Sequence, residues 1–302
     1  MKKILLLGAN GQVGWELQRA LAPLAPLTIC GRQNADLNDL QGLARLVAAE
    51  RPSVIVNAGA YTAVDKAESD VDSARRINAE ALAVLGRAAH ELRAWLVHYS
   101  TDYVFDGSGS SPFDENATTG PLSIYGQTKL EGEQAIRDSG CNHLIFRTSW
   151  VYACRGANFA KTMLRLAKER DELRVIADQF GAPTSAELIA DVTAQALQRL
   201  ALDADLRAQA SGTYHLVASG ETSWHRYAQF IIAEAIRLGV ELRAAPERVT
   251  PISTNEYPLP ARRPANSRLA NDKLQHTFNL ILPDWKYHVQ RMIRELVDQG
   301  TV

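Results

Sequence analysis

Cysteine is scarce: Cys30, Cys141 and Cys154 are the only three in 302 residues, and none forms a C-x-x-C pair. An odd, sparse set suits free thiols in a reducing compartment, packed as core residues rather than acting as nucleophiles. An excess of one charge is also missing, since 33 basic against 34 acidic side chains leave a net charge of −1. Nonspecific binding to nucleic acid or to an anionic membrane needs a basic excess, so no nucleic-acid or membrane partner is expected. No run approaches the ~18 apolar residues of a membrane span. The N-terminal run Ile4–Leu7 is shorter than the roughly 7–15 residues of a signal-peptide core, and a soluble cytoplasmic protein is the expectation. The seven histidines show no H-E-x-x-H or other paired spacing, which argues against a catalytic metal.

What is present is ordinary globular composition, 46% hydrophobic and 22% charged. It excludes disorder, coiled coil and collagen-like structure. At about 150 residues per domain, one large or two small domains are expected. Short apolar runs at 4–7, 27–30, 54–56, 95–100 and 143–147 alternate with amphipathic segments at 12–21, 40–50, 69–92 (one long helix or two short) and 123–139. Strands apolar on both faces, separated by helices, predict an α/β fold with a parallel sheet covered on both sides. The second half is less regular: helices are expected over 158–168, 185–200, 224–238 and 284–299, strands over 173–176 and 214–217. The proline-rich segment Tyr257–Asn266 reads as an ordered loop. No interdomain linker is evident, so residues 151–302 are expected to form a lobe interleaved with a domain over 1–150, with about 183–200 returning to it.

The segment GANGQVG at 8–14 follows the first strand and opens the first helix. Glycines at Gly8, Gly11 and Gly14 permit a tight turn and close approach of backbone to a pyrophosphate. Asn10, Gln12 and Val13 lie between them, and the helix N-terminus aims N–H groups at the phosphates. The strand–loop–helix context favours dinucleotide binding over a plain turn. The second strand ends at Arg32 rather than at the acidic residue that reads an NAD ribose. A guanidinium there suits a 2′-phosphate, hence NADPH, though a solvated surface arginine reads the same. Asp36 and Leu37 lie just downstream, near where a carboxylate can accept from an adenine amino group. Ala58 and Ala60 end the third strand, small enough for a ribose to lie against the backbone or simply for a tight strand end.

Tyr125 and Lys129 are four apart on a predicted helix and share a face. They follow the fourth strand and the sequence Ser100-Thr101-Asp102, at the carboxyl end of the sheet where ligands lie. An ammonium about 4 Å from a phenol contributes on the order of 4 kcal/mol at an effective dielectric of 20. That is about three pKa units, bringing the phenol near neutral pH. With the Thr101 hydroxyl holding a carbonyl oxygen, the set suits hydride transfer to a ketone. The plain alternative is an exposed helix pair.

These residues resemble the extended short-chain dehydrogenase/reductase family. HYSTDYVFDG at 98–107 is similar to the fourth-strand motif of its dTDP-4-dehydrorhamnose reductase subgroup. AVDKAE at 63–68, FRTSWVY at 146–152, DQFGAPT at 178–184 and RPANSRL at 263–269 resemble further motifs of that subgroup, and the likeness spans nearly the whole chain. It implies a Rossmann doubly wound parallel sheet with a smaller, interleaved C-terminal substrate lobe. It also implies reduction of a dTDP-sugar C4 ketone by NADPH or NADH. By motif, Tyr125 is the proton donor, Lys129 orients it and the nicotinamide ribose, and Thr101, Asp102 and Trp150 face the sugar. Tyr61, Thr62 and Tyr99 join the residues lining the cofactor. Some members form Mg²⁺-bridged homodimers through glutamates, and Glu16, Glu187 and Glu295 occupy the matching positions; solvated surface is the other reading. Two rivals are a nucleotide-sugar epimerase of the same superfamily and a noncatalytic NADP-binding regulatory subunit.

Overall fold

The computed structural model describes residues 1–301. Its first half alternates β1 (Ile4–Leu7), α1 (Gln12–Leu21), β2 (Leu27–Cys30), α2 (Leu40–Glu50) and β3 (Val54–Asn57). Then come α3 (Val64–Ala67), α4 (Val71–Arg75), a π-helical turn (Arg76–Glu80), α5 (Ala81–Leu92), β4 (Trp95–Thr101), α6 (Ile124–Asp138) and β5 (Asn142–Thr148). The reason is visible in the strands. Ile4 and Leu6 belong to a core cluster with Leu17 and Leu21 of α1, whereas Leu5 and Leu7 belong to another with Leu43 and Val47 of α2. Strands that bury both faces need a helix layer on each side.

The six-stranded sheet has the order β10-β5-β4-β3-β1-β2 with every pair parallel. The sixth strand, β10 (Gly212–His215), comes from the second half. The chain reverses its direction of winding between β1 and β3, and that opens a crevice at their carboxyl ends. There Gly8 has φ +75°, and a Cβ on it would lie 2.3 Å from Gly59 N. Gly14 is equally constrained, since its Cβ would lie 2.1 Å from Gly8 O.

The second half contributes β6 (Val151–Tyr152), α7 (Phe159–Glu169), β7 (Leu173–Ile176), β8 (Phe180–Gly181), β9 (Thr184–Ser185), α8 (Ala186–Leu202) and α9 (Ala204–Gln209) before β10. After it come β11 (Thr222–Ser223), α10 (Trp224–Arg237), β12 (Val249–Ile252), α11 (Asp272–Phe278) and α12 (Trp285–Asp298). Helix α8 packs on α1, and its Leu188, Ile189 and Leu197 share that helix's core cluster. A smaller cluster of Met163, Ala167, Val175, Ile232 and Val249 joins α7, β7, α10 and β12.

Three expectations are corrected. The last sheet strand is Gly212–His215 rather than 214–217; Leu216 and Val217 stay buried and Leu216 still donates to Arg147 O, but they lie past the ladder. The helical stretch from 69 is α4, a π turn and α5 run together. The extra residue of the π turn faces Asn78 inward, where its side chain accepts from Tyr61 N–H and donates to Tyr61 O and Thr128 Oγ1. Strand β12, which pairs with β7, was not expected, because Pro251 sits inside it; as one strand of a two-stranded pair it has a free side. No described helix is long and apolar enough to cross a membrane.

Candidate active site

The loop after β1 presents a cradle. Gly11 precedes α1 with φ −74°, no side chain caps the helix, and no acidic residue stands in its first turn. A Cβ on Gly11 would meet only Gly8 O, at 3.5 Å. Packing therefore demands glycine at Gly8 and Gly14, while at Gly11 the open space is on the side where an approaching phosphate would sit. Asn10 leans against Gly31, and Gln12 accepts from Asn158 Nδ2 at 3.3 Å, which brings the 154–158 loop over the cradle's edge. Arg32 is exposed at the end of β2 and makes only a loose ion pair with Asp36, 3.7 Å. Leu37 is buried against Gly59. Ala58, Ala60 and Tyr61 are half-buried along the loop after β3, with Thr62 exposed. The Tyr99 ring is in the core with its hydroxyl bonded to Thr193 Oγ1 at 2.9 Å, while its carbonyl oxygen accepts from Lys129.

Thr101 and Asp102 stand at the carboxyl end of β4, below the first turn of α6. Thr101 Oγ1 donates to Asp102 Oδ1 at 3.0 Å. Burial pushes the Asp102 carboxyl up to about 6, with Ser267 and Thr101 opposing, and among the described residues Asp102 Oδ2 lies within hydrogen-bond distance of no partner. An unpaired, buried carboxylate oxygen is expensive unless something fills the cleft. Burial also pushes the Tyr125 phenol up to about 12; the Thr101 hydroxyl pulls it down and the Asp102 charge pushes it further up. The ring packs edge-on against Tyr103, centroids 5.5 Å apart.

Lys129 is 1% exposed, and its amine lies 2.9 Å from His98 Nε2 and donates to Tyr99 O at 2.7 Å. It forms no hydrogen bond with Tyr125 among the described residues. Burial lowers it to about 7, against the opposing charge of Glu133. The sequence-based expectation that this ammonium brings the phenol near neutrality does not hold here: burial raises the phenol, and the Lys129 amine turns to His98 and Tyr99 O instead. His98 in turn is held by Asn57 Nδ2 at 3.3 Å, and burial keeps its imidazole neutral. His98, Asn57 and Asn78 escaped the sequence reading, because each acts on a residue distant in sequence.

A pH test follows for Lys129. Its amine carries a proton up to about 7 when folded and up to 10.5 in the reference state. Between those values the unfolded chain binds the extra proton, so stability rises with pH there and is lost as pH falls through 7. The stability gap between wild type and Lys129→Met should therefore move in favour of wild type from pH 7 to 10, by several kcal/mol over the whole window. Urea titrations of both proteins across that range check it; parallel curves would show an amine of ordinary pKa.

Trp150 sits just past β5 with φ +49°, a left-handed conformation costly for this residue. Its ring stacks on Trp224, centroids 3.6 Å apart and planes 14° apart. The 178–184 loop supports it, for a Cβ on Gly181 would lie 2.9 Å from Trp150 Cε2.

Glu16, Glu187 and Glu295 do share one neighbourhood within a single chain. Burial first, then the Glu187 charge and more weakly Glu295, raises the Glu16 carboxyl. Each already has a partner within the chain. Glu16 pairs with Arg19 at 3.6 Å, Glu187 pairs with Arg291 at 3.2 Å, and Glu295 accepts from Gln299. Among the described residues no group of three or more His, Cys, Asp or Glu is arranged to hold a metal. Two arginines thus supply positive charge beside these carboxylates.

Residues 1–298 match the family model described as the RmlD substrate binding domain. The chain belongs to this family. Among curated RmlD-type relatives, the dTDP-4-dehydrorhamnose reductase of Shigella flexneri is 54% identical over 297 residues, 97% of each chain. That of Burkholderia thailandensis is 50% identical over 98% of this chain and all of its own. A crystal structure of the Bacillus anthracis dTDP-4-dehydrorhamnose reductase in complex with NADP superposes with a TM-score of 0.85 at 33% identity, covering 98% of this chain and 100% of that one. A UDP-glucose 4-epimerase from Brucella ovis, in complex with NAD, shares the fold alone, at TM-score 0.75 and 16% identity over 97% of both chains.

Proposed function

We propose that this chain reduces the C4 ketone of dTDP-4-dehydro-L-rhamnose to dTDP-L-rhamnose with NADPH or NADH. The observation that carries the reading is identity at half or more of all positions, end to end, with reductases of that name. The geometry agrees with it. N–H groups at the start of α1 and the open face of Gly11 would hold the pyrophosphate, and Ala58–Thr62 would flank the ribose. The bound nicotinamide supplies the hydride. Tyr125 gives its proton to the sugar O4, and the protonated state that burial enforces is the one a donor needs. Thr101 holds the ketone oxygen beside the phenol, Lys129 bridges towards the nicotinamide ribose, and Asp102 and Trp150 bound the sugar. The test is loss of NADPH absorbance with dTDP-4-dehydrorhamnose present and absent. Consumption that ignores the sugar would end the reading.

Arg32 is the reader of the 2′-phosphate on this account. Its side chain is 79% exposed and only loosely paired, so it is free to turn onto a ligand. Arg32→Asp should raise KM for NADPH about tenfold or more while changing that for NADH little, since a carboxylate repels phosphate and accepts from a 2′-hydroxyl. Equal changes for both cofactors would make Arg32 ordinary surface.

A further inference from the structure

The 63–68 motif stands apart from the reacting groups, yet its two carboxylates reach separate elements that border them. Asp65 Oδ1 accepts from Arg263 Nη1 at 2.9 Å and from Ala261 N–H at 3.1 Å, and Oδ2 accepts from Arg263 Nη2 at 2.8 Å. This two-pronged pair ties α3 to the proline-rich segment 257–266. The Arg263 guanidinium holds the Asp65 carboxyl below its ordinary value, against burial. Three residues on, at the C-cap of α3, Glu68 Oε1 accepts from Ile124 N–H at 2.9 Å. Ile124 is the first residue of α6 and the neighbour of Tyr125. A carboxylate there satisfies one of the helix's free N–H groups and complements its positive end. Ser123 satisfies another by accepting from Gly126 N–H at 3.2 Å. On the other side, the Arg263 charge acts on Tyr103, whose ring bears on Tyr125. The 257–266 segment thus connects to the helix that carries the phenol through Arg263–Asp65, α3 and Glu68–Ile124.

We propose that Asp65 and Glu68 are positioning residues, joined by α3 into a bracket that sets Tyr125 against the sugar when the 257–266 segment is seated. The proposal rests on the reductase reading for its kinetic consequences, not for its geometry. Neither carboxylate touches the reacting atoms. Asp65 holds the 257–266 segment, which leads straight into Ser267 beside the Asp102 carboxyl, and Glu68 holds the turn that carries the phenol, so their loss shows in different constants.

Asp65→Asn, which keeps the size and breaks the ion pair, should raise KM for the sugar nucleotide about tenfold while KM for NADPH stays within about twofold. Glu68→Ala should lower kcat by about tenfold or more, as a small displacement of a reacting group does. Glu68→Gln, whose amide oxygen still accepts from Ile124 N–H, should recover most of that loss. Asp65→Ala combined with Arg263→Ala should cost no more in sugar KM than either alone. Limited proteolysis of the substrate-free protein gives a readout independent of activity: cleavage within 257–266 should quicken in Asp65→Asn and stay at the wild-type rate in Glu68→Gln. Wild-type protein that shows no sugar-dependent NADPH oxidation would defeat the reductase reading, and proteolysis would still decide whether Asp65 holds the segment. Equal rises in both KM values, additive Asp65 and Arg263 losses, or a Glu68→Gln as slow as Glu68→Ala would each overturn the bracket.

Discussion

Tyr125→Phe is expected to fold, to bind cofactor with unchanged affinity and to lose about 10²–10⁴-fold in kcat, the range that general acid catalysis supplies. The ring's packing against Tyr103 survives, because the substitution removes only the hydroxyl and leaves the ring in place. What disappears is the proton donor beside Thr101. The loss should fall on kcat and kcat/KM together, as for an interaction made in the transition state. The cofactor-free phenol sits at about 12, so it is protonated throughout the working range and waits for an acceptor. Single-turnover kinetics with NADPH and the sugar nucleotide check this, alongside cofactor titration by fluorescence. Retention of more than half of wild-type kcat would remove Tyr125 from the proton-donor role.

The sheet and its flanking helices were legible because buried strands are short apolar runs and the helices between them keep their spacing. Boundaries of β1, α1, β2 and α2 coincide with the expected ones. Two-residue strands such as β6 and β9 carry no period to read, and β12 hides its pairing behind Pro251. Around the site, Tyr125, Lys129 and Thr101 could be singled out from spacing and position. The direction in which Lys129 points could not. Its partner His98 lies 31 residues earlier on β4, and a buried acceptor leaves no mark in local spacing. The three glutamates show the complementary limit: sequence placed carboxylates in a set, and the i,i+3 pair of Glu16 with Arg19 was readable within α1, but Arg291, which neutralises Glu187, comes from α12 and becomes visible only when that helix packs beside α8.

Removing the Glu133 carboxylate should cost more stability than any other single truncation near the site. Glu133 is fully buried on α6, one turn beyond Lys129. It accepts from Arg147 Nε at 2.9 Å and Nη2 at 2.7 Å, from Ser100 Oγ at 2.6 Å and from Arg137 Nη1 at 3.1 Å. Burial works to raise its pKa, yet Arg147, Ser100 and Arg137 together hold it below the ordinary carboxylate value. Arg147 is itself 3% exposed and already has Nη1 without a partner. Glu133→Ala therefore leaves a buried guanidinium uncompensated, a change worth about 3–5 kcal/mol where one member of a buried pair is removed. The double variant Glu133→Leu with Arg147→Met, which removes both charges, should regain much of that loss, since the stabilisation lies in not stranding a charge rather than in the pair itself. Activity should follow a different rule. Glu133 ties α6 to Ser100, the residue before Thr101, so both variants loosen the phenol against the hydroxyl that holds the ketone. The Glu133 charge also supports the Lys129 ammonium, and neither variant restores it. Urea denaturation should separate the two proteins by several kcal/mol, while their kcat values fall together. A double variant as unstable as Glu133→Ala would place the cost in lost packing, and full kcat in a stable double variant would show that α6 keeps Tyr125 in place without this network.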